Sequence, residues 1–286
     1  MSPTDPQLLT LVLALACSGL AAGLLAGLLG VGGGIVVVPV LYSVLHIAAA
    51  GGENHMHVAV ATSLALIVPT SVRSALAHHA RGVVDTTVLR RWALFVVAGV
   101  LLGIGLINRL ESAQLSLIFA ATVLAVALLL ARGSHPHPIP ERGVPDRRRQ
   151  AEPGLATGIG TLSTLMGIGG GTLSVPAMIW CGHPIHRAVG TAAALGLLIA
   201  VPGSVGLVLA GLDTPGLPPG SLGYVNLVAL FCLLPTTLIA VPWGARLAHR
   251  LKPRTLQWLF AAFLALVALR MGWAGLAELN TPLQTR

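Results

Sequence analysis

Two short stretches of the chain carry residue types suited to chemistry. Residues 30–39 read GVGGGIVVVP and residues 167–176 read GIGGGTLSVP. Each places three consecutive glycines ahead of a short run closed by proline. A glycine has no Cβ, so a ligand can approach its main chain closely. Where such a cluster opens a helix, the first amides lack an intrahelical acceptor and lie at the positive end of the helix dipole. Those are the donors of a small-anion site. The candidate substrate-binding residues are therefore Gly32, Gly33 and Gly34 in the first cluster, and Gly169, Gly170 and Gly171 with the adjoining Thr172 in the second. Glycines spaced like Gly19, Gly23 and Gly27, or Gly99 and Gly103, read instead as helix-packing positions.

Composition says what must surround such turns. Of 286 residues, 9% are charged and 55% hydrophobic, with a mean hydropathy of +0.86, so lipid must solvate most of the surface. Residues 58–78 carry one charge, Arg73, and residues 222–244 carry none; about 20 apolar residues cross the hydrocarbon core. The net charge of +8 comes without a basic patch interleaved with aromatics, which excludes nucleic acid as a partner. Cys17, Cys181 and Cys232 lack CxxC spacing and read as packing residues. His135 and His137, set among prolines, read as solvated rather than metal-binding. No HExxH, GxSxG or Walker A signature is present, so neither an enzyme, a metal or cofactor site, nor an ATP-driven pump is expected.

The clusters belong to a duplication. Residues 30–39 overlay 167–176 at an offset of 137, residues 68–72 overlay 201–205 at 133, and residues 109–121 overlay 250–262 at 141. This predicts a first membrane repeat over 1–131, a polar, proline-rich linker over 132–153, and a second repeat over 154–286. Three crossings are expected per repeat, at 58–78, 91–107 and 113–131, then at 188–209, 222–244 and 255–275. An odd number inverts the second copy relative to the first.

Charge placement agrees. The basic residues in the linker, at 73–91, at Arg187 and at 246–254 make fourteen of the 17 Lys and Arg, placing these loops and the linker in the cytoplasm. Equivalent loops of the two halves carry opposite charge bias, as inversion requires. The segments left over, 8–29 with 35–47 and 154–166 with 172–181, form one glycine-tipped re-entrant hairpin per repeat. The expected fold is an all-α integral membrane protein of two inverted-topology repeats, each a broken helix hairpin plus three transmembrane helices. The two tips are expected to meet near mid-membrane.

Neutral hydroxyls near the tips extend the candidate site to Thr62, Ser63 and Thr191. Many such side chains simply bond back to their own helix. Arg73, the one charge within its span, either snorkels to the surface or serves as a pathway cation.

The paired GxGGGxxxxP clusters, the VATS and VGTA segments behind them, the duplicated halves and the basic linker resemble the TauE/SafE sulfite-exporter family, also called the sulfonate-uptake permease superfamily. The resemblance covers essentially the whole chain. It implies a multi-pass carrier in the bacterial plasma membrane for small sulfur-containing anions such as sulfite or organosulfonates, exporting them by alternating access. The glycine clusters with Thr62, Ser63 and Thr191 are what it carries over as a site. The second half departs from symmetry, with Ala192 opposite Ser63 and Gly203 opposite Thr70. Expected partners are the anion and the bilayer, with a homodimer allowed. An anion channel, or a membrane subunit of a larger complex, is the alternative.

Overall fold

The computed structural model of the chain describes residues 16–17, 19–25, 34–47, 54–131, 146–248 and 253–280. They are almost entirely helical. Residues 19–25 are helical, followed by α1 (Gly34–Ile47), α2 (His55–Ala80), α3 (Thr86–Ile107), α4 (Ser112–Ala131), α5 (Asp146–Met166), α6 (Gly170–Trp180), α7 (Ile185–Ala210), α8 (Leu227–Ala248) and α9 (Pro253–Asn280). The helices α2, α3, α4, α7, α8 and α9 each contain a stretch long and apolar enough to cross a membrane. The protein is a multi-pass, all-α membrane protein.

Burial shows which solvent the outer surface is built for. Trp92, Phe119, Met56, Leu64 and Leu195 fill the interior, while Leu94, Phe231, Leu269 and Trp273 point outward. In water so much apolar surface would drive association; in lipid it is the ordinary solvent-facing layer.

Two boundaries differ from expectation. The crossing read at 222–244 becomes helical only at Leu227. Before it, Ser221–Leu222 (β1) and Val225–Asn226 (β2) pair antiparallel around Gly223, whose φ of 54° is left-handed. The linker read over 132–153 gives its last eight residues to α5, which starts at Asp146 rather than at Gly154. That extra helix is polar, so hydropathy alone could not see it. At 21 residues α5 is about 31 Å long, whereas α6, at 11, is about 16 Å and too short to cross. Gly32, Gly33, linker residues 132–145 with His135 and His137, and most of the 8–29 segment lie outside the described residues.

Close packing depends on small residues in a pattern that occurs twice. A methyl group on Gly23 would lie 2.6 Å from the Thr237 carbonyl oxygen, and one on Gly160 would fall on the carbonyl of Val96. Gly160 follows Gly23 at the offset of 137, and Thr237 follows Val96 at 141, so both sides of the contact are repeated. Threonines bond across both pairings: Thr161 Oγ1 donates to the Gly99 carbonyl at 3.0 Å and Thr237 Oγ1 to that of Gly19 at 3.4 Å. The 19–25 helix lies on α8 as α3 lies on α5. The equivalent helices α2 and α7 pack on each other, as do α4 and α9.

Candidate functional site

The second glycine cluster is a sharp turn between α5 and α6. The amides of Gly167 and Ile168 donate back to the carbonyls of Thr164, at 3.3 Å, and Ser163, at 3.0 Å, closing α5. Gly167 adopts φ 64°, a conformation that strains any residue with a Cβ. Gly169 then N-caps α6 in an extended conformation without any side-chain cap. The first amides of α6 are thus left without helical acceptors.

The glycines of this turn have different jobs. A methyl on Gly167 would meet the Val60 main chain at 2.8 Å, and one on Gly170 would meet the Gly196 nitrogen at 2.6 Å and the Ala192 oxygen at 2.8 Å. Those two permit close packing on α2 and α7. Gly169 is looser, with the Ile67 side chain 3.3 Å away, and a methyl on Gly171 would meet nothing within 4 Å. Gly171 is therefore where the backbone at the start of α6 is open.

The first cluster reaches this turn. A methyl on Gly34, the first residue of α1, would lie 2.6 Å from the Gly167 carbonyl oxygen and 3.0 Å from Ile168 Cα. Ser63 Oγ donates to the same Gly167 carbonyl at 2.8 Å. Gly34, Ser63 and the second turn are thus one assembly.

Thr62 and Thr191 are engaged elsewhere. Thr62 Oγ1 accepts the Asn226 amide at 2.9 Å, and Thr191 Oγ1 accepts the Asp85 amide at 2.9 Å. Both amides belong to helix-capping residues. Asp85 Oδ1 accepts from the Thr87 and Val88 amides at the start of α3, and Asn226 Oδ1 accepts from Ala229 at the start of α8. Each half thus fixes the start of a helix in the other half through an equivalent threonine. Arg73 is exposed on α2, about 15 Å along the axis from Ser63, and does not join the turn.

Two further hydroxyls flank the turn. Ser163, before it, and Ser174, one helical turn beyond Gly170, are fully buried, and neither Oγ has a hydrogen-bond partner among the described residues. A buried hydroxyl without a partner is costly, so it points to a polar group that the protein itself does not supply. Thr172 is also buried. The serine within the GTLSVP run was visible in sequence; Ser163 carried no signal, because its importance depends on the chain turning back.

Six apolar helices around a short helix that starts at a buried, uncapped glycine turn define a polytopic membrane protein with an internal polar site. A family model described as Sulfite exporter TauE/SafE matches residues 15–271, and the chain belongs to that family. It is 33% identical to a protein named "Probable membrane transporter protein" from Haemophilus influenzae, over 92% of this chain and 98% of the relative. Relatives carrying that description in Bacillus subtilis and Methanocaldococcus jannaschii are 27% and 26% identical, over 90% and 88% of this chain and 96% and 92% of theirs. No solved structure matches it. The protein is a membrane transporter and not an enzyme.

Proposed function

We propose that the protein is a secondary carrier of a small oxyanion, sulfite or an organosulfonate, working by alternating access and exporting its substrate from the cell. The observation that carries this reading is the start of α6. Uncapped amides, the open, half-buried backbone at Gly171 and the Ser174 hydroxyl, unpartnered among the described residues, lie within the first two turns of α6, just beyond the turn that Gly34 reaches. Such a group offers hydrogen bonds and a helix dipole without a fixed cation, which suits an anion that must also be released.

The doubled contacts support two oppositely inserted repeats. Reciprocal bonds, Thr62 to Asn226 and Asp85 to Thr191, are what a two-fold axis lying in the membrane would produce. Rocking of one pair of bundles against the other would then open the turn to each side in alternation. The basic residues of the 132–153 linker support a cytoplasmic position for that side and a bacterial inner-membrane location.

Proteoliposomes holding the purified protein test this with labelled sulfite and sulfoacetate. A carrier saturates and shows accelerated exchange when unlabelled anion is trapped on the far side. Steady current in a planar bilayer without such counterflow would make the protein a channel. Absence of flux for both anions would remove the sulfur-anion assignment.

A further inference from the structure

A second cluster of buried polar groups lies where α5, α3 and the loop after α6 converge. Glu152, in the second turn of α5, is 3% exposed. Its Oε2 accepts from Arg91 Nη1 at 3.2 Å and from the Trp92 indole N–H at 3.3 Å. Its Oε1 faces His183 Nε2 at 4.0 Å, and that nitrogen is buried with no hydrogen-bond partner among the described residues. Two fixed donors thus hold one carboxylate oxygen. The other oxygen and an imidazole nitrogen stand just beyond hydrogen-bond reach.

His183 is tied to the end of the short helix. Its amide donates to the Met178 carbonyl at 3.0 Å, and the amides of Cys181 and Gly182 close the same turn on Ala177 and Ile179, both at 2.9 Å. The main chain of His183 is therefore anchored to α6, whose other end carries the glycine turn.

We propose that Glu152 and His183 form a proton-binding site that couples proton movement to the α6 hairpin during transport. A proton from the adjoining aqueous face bonds to the lone pair of His183 Nε2, and the new N–H donates to Glu152 Oε1. Closing that gap draws the end of α6 toward α5 and α3; release reverses it. A purely structural ion pair is already complete with Arg91, and it does not need a second titratable group left unbonded against it.

The other charged groups around the pair are otherwise placed. From α3, Arg90 is exposed beside Arg91. From α7, Arg187 pairs with Asp85 at 3.6 Å and His186 is exposed. The helices α4 and α6 carry no titratable residue, and among the described residues His78 and His79 of α2 form no ion pair with Glu152. On α5 itself, Asp146 and Arg147 to Arg149 precede it in sequence.

The equivalent corner of the first hairpin is built differently. His46, which precedes His183 by the repeat offset of 137, stacks on Tyr42 at 5.9 Å and meets His55 edge-on at 5.4 Å. Leu15 stands at the position matching Glu152. The acid at that corner comes from α9 instead, where Glu278 Oε1 accepts from the Tyr42 hydroxyl at 2.6 Å.

The test has two arms, both on the full chain in lipid. With Trp180, Trp243, Trp258 and Trp273 replaced by phenylalanine, Trp92 alone reports on Glu152. Its emission should change in a single step as the pH is varied. E152Q and H183Q should each abolish that step. A step that persists in both variants, or is missing from the parent, overturns the proposal. The second arm rests on the carrier reading and uses labelled sulfoacetate in liposomes under an imposed pH gradient. One coupled proton lets a one-unit gradient sustain about tenfold accumulation. E152Q should lose that accumulation while one-for-one exchange stays within about twofold of the parent, since Glu152 is outside the anion site. Accumulation retained in E152Q overturns the coupling. If the parent itself moves no sulfoacetate, the carrier reading fails on that anion while Trp92 still decides the proton site.

Discussion

The helices that leave the two glycine clusters share their opening glycine and an internal proline, yet α6 has Thr172 and Ser174 where α1 has Ile35 and Val37. All four are buried. The second helix therefore brings hydroxyls to the meeting point, and the first brings hydrocarbon. A duplicated backbone can make a symmetric cage, but here α6 supplies a polar floor and α1 an apolar wall. On the proposed reading, an anion would be held from one side and left weakly bound on the other, which would favour release when the halves move apart.

The comparison breaks most completely at Gly167. A valine there must take φ 64° and also enter the Val60 main chain at 2.8 Å. Left-handed strain and overpacking together give a loss of about 3 kcal/mol. Gly167→Val should abolish the folded, monodisperse peak in detergent chromatography. Gly170→Leu would collide with Gly196 and Ala192 in the same way and so reports on packing rather than on the ligand.

Ser174→Ala sharpens the contrast between floor and wall. It deletes a hydroxyl that no group among the described residues satisfies, so thermal stability should hold or rise. Flux should fall about tenfold in kcat/KM, the equivalent of about 1.4 kcal/mol lost from one hydrogen bond to the transported anion. Stability falling together with flux would make Ser174 a structural residue and leave the polar floor without its main support.

The reciprocal clamps measure how far the two halves remain alike. Thr62→Val and Thr191→Val each leave one helix-capping amide, that of Asn226 or Asp85, without its acceptor. Each should destabilise by about 1 to 2 kcal/mol, by similar amounts. Chemical denaturation of the two variants side by side reads the difference; a loss confined to one of them would show that the two clamps are not equivalent in energy.

The crossings were legible in sequence because an uninterrupted apolar run has one use. The helices α2, α3, α4, α7 and α9 begin and end within a few residues of their hydropathy limits. The start of α5 was hidden by Arg147, Arg148, Arg149 and Pro153, which compose like a loop. The β1–β2 hairpin was hidden inside a crossing because two residues per strand leave no period to read. The glycine turn itself was legible, yet the division of labour within it was not. Only the fold brings α7 against Gly170 and leaves Gly171 open. The partners of Thr62 and Thr191 are main-chain amides 164 and 106 residues away, which no local pattern announces.

Gly171→Ala is the mildest change and the most discriminating. Its methyl group would meet nothing within 4 Å, and alanine is the better helix former by about 0.5 to 1 kcal/mol, so the variant should be as stable as the parent or slightly more so. If the anion is held by bare backbone at the start of α6, that same methyl stands between ligand and amide, and the affinity measured by counterflow should weaken several-fold. Ile35, one residue into α1, stands on the apolar side and offers the control: Ile35→Val trims a buried methylene, costing about 1 kcal/mol of stability, with affinity unchanged. Transport that is indifferent to Gly171→Ala would move the ligand away from the helix start and make the open backbone there a consequence of the turn alone.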